Sequence, residues 1–287
     1  MLEIIEDTII DAIKLLPFLF ITYLIMEYIE HKMGEKSKNI IKESGKWGPF
    51  LGSILGIFPQ CGFSVSATNL YAGRVITLGT LIAVYLSTSD EMLPIFISEA
   101  VSPIIILKIL GIKLIIGMIA GVLIDLVINL VTKYKTRQEK NEISHICEEE
   151  HCHCNEKGIL KSAISHTLNI FLFIVLITFA INIIVYFVGE ERIASWILNK
   201  AIIGPIISSL IGLIPNCAAS VIITNMYLEN VISLGSMIAG LLTGAGVGLM
   251  VLFKTNNHLK ENIKIVSLLY IIGVVSGILI DLIGITL

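Results

Sequence analysis

One apolar segment is written twice in this chain, and each copy carries a proline in its middle. Residues 48–83 align with residues 204–239 at a constant offset of 156 without a gap, and 17 of the 36 positions are identical. The identities include Gly48, Pro49, Ser53, Gly56, Pro59, Cys61, Ser64, Thr68, Asn69, Tyr71 and Gly79. Their partners are Gly204, Pro205, Ser209, Gly212, Pro215, Cys217, Ser220, Thr224, Asn225, Tyr227 and Gly235. Shared hydrophobicity does not preserve helix breakers, a cysteine and small polar groups at matched positions. Matched breaks inside apolar segments are the mark of a transporter built from two repeats, with its site where the broken helices meet. Downstream, Gly117, Gly121 and Asp125 match Gly273, Gly277 and Asp281 at the same offset. Upstream the match is weaker, at offset 155, with Asp11 against His166 and Glu27 against Asn182.

Composition places the repeats in a membrane. The 287 residues are 55% hydrophobic and 15% charged, with mean hydropathy +0.88, whereas a soluble chain of this size carries more charge. Segments 12–30, 75–97, 112–131, 167–188, 231–253 and 265–285 are each about long enough to cross. Stretches 48–73 and 204–228 are interrupted by Pro59-Gln60-Cys61-Gly62 and Pro215-Asn216-Cys217-Ala218. Each half of such a stretch, about 12 residues, makes roughly 18 Å of helix, close to half the hydrocarbon thickness. Each is therefore predicted to be a re-entrant hairpin with its tip near the midplane. Irregular backbone is tolerated there only when buried in protein or facing a water-filled cavity. The expected fold is all-α and polytopic, with about ten membrane helices in two inverted-topology repeats. Residues 1–131 form the first repeat, 132–162 a linker and 163–287 the second repeat.

Lysine placement sets the orientation. The loop with Lys32, Lys36, Lys38, Lys42 and Lys46 belongs in the cytoplasm, as does the linker with Lys133, Lys135, Arg137 and Lys140. The 254–264 loop, with Lys254, Lys260 and Lys264, also falls inside, while residues 189–203 fall outside. A single crossing by each broken helix would put the five-lysine loop outside. Two full crossings per hairpin give the same parity as re-entry. Both termini are then external, and the acidic N-terminal stretch, lacking a basic n-region, is expected to stay in the mature protein.

Three groups of residues carry the candidate chemistry. Ser87-Thr88-Ser89-Asp90-Glu91 interrupts segment 75–97 in its middle. A carboxylate pair near the bilayer centre is costly and is a functional hypothesis by default, suited to proton exchange. The plain alternative is a short extramembrane loop before Pro94. The partner segment reads Thr243-Gly244-Ala245-Gly246-Val247-Gly248, an apolar span whose glycines allow close approach or local unwinding. The second group is the hairpin tips. Pro59 and Pro215 free backbone carbonyls, Gln60 and Asn216 supply amides, and Cys61 and Cys217 supply soft sulfur. Ser64, Thr68 and Asn69 follow, as do Ser220, Thr224 and Asn225, with hydroxyls at spacings of four on one helical face. Close packing by small residues is the alternative. The third group lies in the linker. His145, Cys147, His151, Cys152, His153 and Cys154, beside Glu148, Glu149 and Glu150, form a flexible metal-binding tract rather than a zinc finger, or else a solvated charged linker. Glu27, Glu30 and His31 share a helix face near the cytoplasmic end. Asp125 and Asp281 lie near helix ends, where packing and ion coupling are equally open. The chain has no P-loop, dinucleotide fingerprint or nucleophile–base motif, so an enzyme or a nucleotide-driven pump is not indicated.

At these residues the chain resembles the ten-helix heavy-metal exporters, also described as arsenic-efflux-like or manganese-transporter-like. The resemblance rests on Phe58-Pro59-Gln60-Cys61-Gly62-Phe63-Ser64, on Ser87-Thr88-Ser89-Asp90-Glu91, on Pro215-Asn216-Cys217 and on the His/Cys linker, and it spans nearly the whole chain. It implies metal or metalloid efflux. The residues and the resemblance together lead to a secondary exporter of the inner membrane, coupled to protons. Cys61, Cys217, Asp90, Glu91, Asn69 and Asn225 would line its site, and the linker would collect the cargo. No resident cofactor is expected beyond a transported or linker-bound metal ion. The expected partners are lipid, metal and protons, not nucleic acid, with room for a homo-oligomer. A small-anion or metabolite carrier and a membrane-embedded metal sensor or accessory subunit stand as the alternatives.

Overall fold

The computed structural model describes residues 47–58, 61–89, 92–133 and 202–284, with helical backbone also at scattered positions between 13 and 24 and between 160 and 183. Five helices come from the first half: α1 Gly48–Gly56, α2 Cys61–Ala72, α3 Leu78–Ser87, α4 Met92–Ser98 and α5 Pro103–Lys133. Five follow from the second: α6 Ile203–Gly212, α7 Cys217–Leu228, α8 Leu234–Thr243, α9 Val247–Thr255 and α10 Leu259–Ile283. Each half thus shows, among the described residues, four short helices and one long one. Among the described residues there is no strand.

Local sequence explains the boundaries. Pro49 opens α1, where its missing N–H costs nothing. Thr77 and Ser233 cap α3 and α8, accepting from the backbone N–H of Thr80 and Ser236 at 3.1 Å. The turns after α2 and α7 close the same way, with Arg74 and Asn230 both in the left-handed region at φ 56° and 60°. The N–H of Val75 bonds Leu70 O and that of Val231 bonds Met226 O, each at 2.8 Å, which satisfies carbonyls the helix end leaves open. α10 stops at Gly284, in the left-handed conformation.

Four stretches are long and apolar enough to cross a membrane: Leu78–Ser98, Pro103–Leu130, Leu234–Thr255 and Leu259–Ile283. Two of them are not single helices. The expected spans 75–97 and 231–253 are each divided, α3 ending at Ser87 and α8 at Thr243. In the second case the stretch expected to run on uninterrupted unwinds at its glycines. Gly246, at φ 54° and ψ −141°, adopts a conformation that a side chain would strain. The expected spans 112–131 and 265–285 begin earlier, at Pro103 and Leu259.

The core lies along α3 and α8, whose residues Gly79–Ser87 and Leu234–Thr243 are all buried. In the first half α1, α3 and α5 pack together, and in the second half α6, α8 and α10 do the same. The halves exchange their remaining helices: α2 packs on α9, and α7 on α4. Exposed apolar side chains run along α5 (Ile104, Leu107, Ile115, Ile119, Leu123, Leu126) and along α10 (Ile263, Ile271, Val275, Leu279, Leu282). The two long helices therefore offer apolar faces suited to lipid, around an interior built from short ones.

One tie recurs in both halves. Thr77 Oγ1 donates to Asp125 Oδ2 at 2.6 Å and Gly79 N to Oδ1 at 2.8 Å. Ser233 Oγ donates to Asp281 Oδ2 at 2.7 Å and Gly235 N to Oδ1 at 2.9 Å. A carboxylate near the end of the long helix thus caps the first turn of the central helix, where the dipole favours negative charge. Backbones are in contact at this point. A Cβ on Gly79 would lie 2.2 Å from Gly121 O, and one on Gly235 would lie 2.2 Å from Gly277 O. The pairing also sets direction. Asp125, near the C-terminal end of α5, holds the turn after Arg74, and Arg74 pairs with Glu261 at the start of α10. Asp281 lies 20 residues further along α10, about 30 Å away. α5 and α10 therefore run in opposite directions, and the turns at Arg74 and Asn230 lie at opposite ends of the bundle. Asp125→Ala or Asp281→Ala is expected to cost about 1–3 kcal/mol by loss of two hydrogen bonds at a helix start. The thermal midpoint of the detergent-solubilised protein should fall for each, and less for the Asn variants. Wild-type melting of the Ala variants would refute this role.

Candidate functional site

Each half brings two helix breaks side by side. In the first, Ser89 Oγ, just past the end of α3, donates to Ile57 O, just past the end of α1. A Cβ on Gly56 would stand 2.2 Å from Ser87 Oγ, so the two chains touch. In the second, Thr243 Oγ1 lies 2.9 Å from Ser209 O, and a Cβ on Gly212 would lie 2.1 Å from Gly240 O. α3 and α8 pack against each other, which joins the paired breaks of the two halves. The segments expected to hold the acidic pair and the first hairpin tip are therefore neighbours.

The described candidates divide into two sets. Ser64, Thr68 and Asn69 are buried on α2. Thr68 Oγ1 lies 2.7 Å from Ser64 O and 3.1 Å from Gly248 O, and it contacts Tyr85 Oη, itself 3.1 Å from Gly248 O. Two hydroxyls from the first half thus meet one carbonyl at the start of α9. Ser87, Thr88 and Ser89 are buried too, which disfavours a solvated loop for that part of the stretch. In the second half, Thr224 is buried and lies 2.7 Å from Ser220 O, repeating the Thr68–Ser64 bond. Asn216 uses its side-chain oxygen to cap α7, accepting from Ala218 N at 3.3 Å. Pro215 is half-buried beside it. Asn225 is exposed, unlike Asn69, so the structure does not bring these two together.

Pro59, Gln60, Asp90 and Glu91 lie outside the described residues, as do Glu27, Glu30, His31 and the linker residues His145, Cys147, His151, Cys152, His153 and Cys154. Cys61 and Cys217 open α2 and α7, and their side chains lie outside the described set. Among the described residues no three His, Cys, Asp or Glu side chains gather to hold a metal.

Two features were missed in the sequence. Lys113 on α5 is fully buried, its Nζ bonded to Thr88 O at the end of α3 and to Leu241 O in the last turn of α8, the latter at 3.1 Å. Its repeat partner is Leu269. The expected span began at 112, which left Lys113 at a helix end. The helix begins ten residues before Lys113, and the apolar run Ile104–Leu107 was the signal for it. The second feature is a fork between the halves. Arg74 donates to Glu261 through both terminal nitrogens, at 2.8 and 3.0 Å, and Tyr71 donates to the same carboxylate. The Arg74 guanidinium also stands over the Tyr71 ring, 5.4 Å from its centroid. In the corresponding place Tyr227 meets Phe96, with centroids 6.4 Å apart, and Asn230 and Ile105 replace Arg74 and Glu261. Among the described residues this ionic contact thus has no counterpart at the repeat-related place.

The family described as "Putative, 10TM heavy-metal exporter" matches residues 1–187 and 168–286. The chain belongs to this family. It is a multi-pass membrane protein of a heavy-metal transporter family, in keeping with its four membrane-capable stretches. No curated protein and no solved structure matches it.

Because the Arg74–Glu261 fork is only partly buried, its coupling should be modest, about 1 kcal/mol. A double-mutant cycle on thermal midpoints with Arg74→Gln and Glu261→Gln should show the two losses to be less than additive. Strict additivity would mean that the pair contributes no coupling.

Proposed function

We propose that the chain is a secondary transporter that exports a heavy-metal or metalloid species from the cytoplasm in exchange for protons. The observation that carries this reading is the meeting of the helix breaks from both halves on a buried polar centre. In a family of heavy-metal exporters, such a centre is where a cargo would be held. Ser64, Thr68 and Asn69 from α2 and the Ser87–Ser89 turn form its first-half wall. Asp90 and Glu91 follow that turn directly in sequence and would alternate between cargo and proton. Pro59, Gln60, Cys61, Pro215, Asn216 and Cys217 mark the tips, with Ser220, Thr224 and Asn225 on the following helix. The linker cysteines and histidines would gather cargo on the cytoplasmic side.

We read the two halves as inverted repeats in the inner membrane, with α1–α2 and α6–α7 as re-entrant pairs and both termini external. The opposite directions of α5 and α10 support this. So does the pairing of Arg74 with Glu261, since lysine placement assigns both neighbourhoods to the cytoplasm independently. The Arg74–Glu261–Tyr71 contact would then be the cytoplasmic closure, released when the halves rock and the cargo enters.

The test is accumulation in everted membrane vesicles under an imposed proton gradient, offering manganese, zinc, cobalt, cadmium, copper(I) and arsenite in turn. Gradient-dependent uptake of one species is expected, and Glu91→Gln or Asp90→Asn should abolish it. Transport that survives both substitutions would end the coupling role. A thiophilic cargo predicts loss in the Cys61→Ser, Cys217→Ser double variant, whereas a carrier of small anions would tolerate it. No uptake of any species, with protein verified in the membrane, would overturn the export reading.

A further inference from the structure

An exposed charge is kept in both repeats. Lys108 on α5 corresponds to Lys264 on α10 at the offset of 156, and each is the sixth residue of its helix. Both side chains are exposed, and among the described residues neither makes a hydrogen bond or an ion pair. The Asp125 and Asp281 caps are duplicated because each has work inside the protein. The lysines have no such work.

They stand where a charge is least expected. On a helix, positions 7, 11 and 18 residues further along return to within about 20° of the same side. After Lys108 these are Ile115, Ile119 and Leu126, and after Lys264 they are Ile271, Val275 and Leu282, all exposed. Each lysine therefore heads the apolar stripe that its long helix turns to lipid. Seventeen residues separate Lys108 from Asp125 and Lys264 from Asp281, about 25 Å of helix against a hydrocarbon core of about 30 Å. Lys264 lies one turn after Glu261, at the end of the bundle that Arg74 marks, and α5 runs opposite to α10. The two lysines thus stand near opposite edges of the core. A helical side chain leans toward the N-terminus of its helix, so both stems carry their ammonium groups outward. A cation near a helix start gains nothing from the dipole, so the helices give no reason for it. What meets an outward-leaning ammonium at the edge of the core is the layer of headgroup phosphates.

We propose that Lys108 and Lys264 are headgroup anchors, each taking the phosphate of one anionic phospholipid, in opposite leaflets. The ammonium offers a compact charge and three donors to phosphate oxygens. The apolar stripe below it packs the acyl chains. Together the anchors fix the depth of α5 and α10, on which the short inner helices are set. The assignment needs only a protein that spans the membrane and does not rest on the export reading.

The experiment compares lipids on the full chain in detergent. Thermal midpoints are measured with phosphatidylglycerol, with phosphatidylcholine and with sodium phosphate, for wild type, Lys108→Gln, Lys264→Gln and the double variant. Phosphatidylglycerol is expected to raise the wild-type midpoint by about 3 °C or more beyond phosphatidylcholine. Each single variant should lose about half of that gain and the double variant most of it, while the double Arg variant keeps it. Without lipid all should melt within about 1 °C of wild type, since neither lysine has a partner in the protein. Lys260→Gln, an exposed lysine of α10 whose repeat partner is Ile104, should keep the gain. On the wild type alone, native mass spectrometry should find two phosphatidylglycerol molecules retained after phosphatidylcholine is lost. An equal loss in Lys260→Gln would reduce the effect to general charge and overturn the anchors. An equal gain from sodium phosphate would overturn the lipid as the source of the phosphate. A lipid-free dimer broken by the double Gln variant would overturn the lipid as occupant, putting a second copy on this face.

Discussion

A helix that breaks inside a hydrocarbon layer leaves amides and carbonyls that lipid cannot bond. The described chain breaks four such apolar stretches, between α1 and α2, α3 and α4, α6 and α7, and α8 and α9. Everything else in the bundle answers to this. The breaks are drawn inside, against one another, so that Ser89 bonds Ile57 O and Thr243 reaches Ser209 O. α3 and α8 run through the centre because their ends must be satisfied there. Among the described helices, α5 and α10 are the two long ones without a break, and they expose their apolar faces. Close contact between outer and inner helices requires glycine at 79, 121, 235 and 277, which leaves room for the Asp125 and Asp281 caps. A polar interior is therefore a consequence of the breaks, and it is there that the proposed cargo site lies.

The frame is duplicated together with its Asp125 and Asp281 caps, but several other charges are not. Lys113 corresponds to Leu269 in the repeat, Arg74 to Asn230, and Glu261 to Ile105. The pair Asp90-Glu91 corresponds to Gly246-Val247. Caps, glycines and turn conformations are the same in both halves because they build the bundle. Unlike the Asp125 and Asp281 caps, Lys113 at the crossing of the halves and Arg74 with Glu261 at one end are single. This division separates structure from function more cleanly than burial does, since the duplicated Asp125 and Asp281 are polar, partly buried and yet accounted for as caps.

Much of the frame was legible in the sequence. A constant offset, with prolines and glycines in register, marked two halves and breaks at 59–62 and 215–218; the helices instead end at Gly56 and Gly212 and resume at Cys61 and Cys217, about two residues earlier. The second set of breaks was half-legible: Gly244 and Gly246 marked a place for unwinding, but continuous hydrophobicity argued for a single span. Hydropathy cannot see a break whose polar groups are satisfied by neighbouring backbone. Lys113 escapes the sequence pattern because the expected span begins at 112, which puts it at a helix end, although the apolar run Ile104–Leu107 lies before it. The Arg74–Glu261 fork joins positions 187 apart, a pairing that no local pattern encodes. Of the candidate residues, Ser64, Thr68 and Asn69 are buried, while Asn225, the repeat counterpart of Asn69, is exposed.

The central claim is that equivalent turns of the two halves face opposite sides of the membrane. It is tested by placing single cysteines at Val75 and at Val231, beside Arg74 and Asn230, in a background where the five native cysteines are serine. Labelling with a membrane-impermeant maleimide would be compared between intact spheroplasts and everted vesicles. The account predicts that the cysteine at 75 reacts only in everted vesicles and the one at 231 only from outside. Reaction of both from the same side would contradict the inverted arrangement, and with it the site built where the two halves cross.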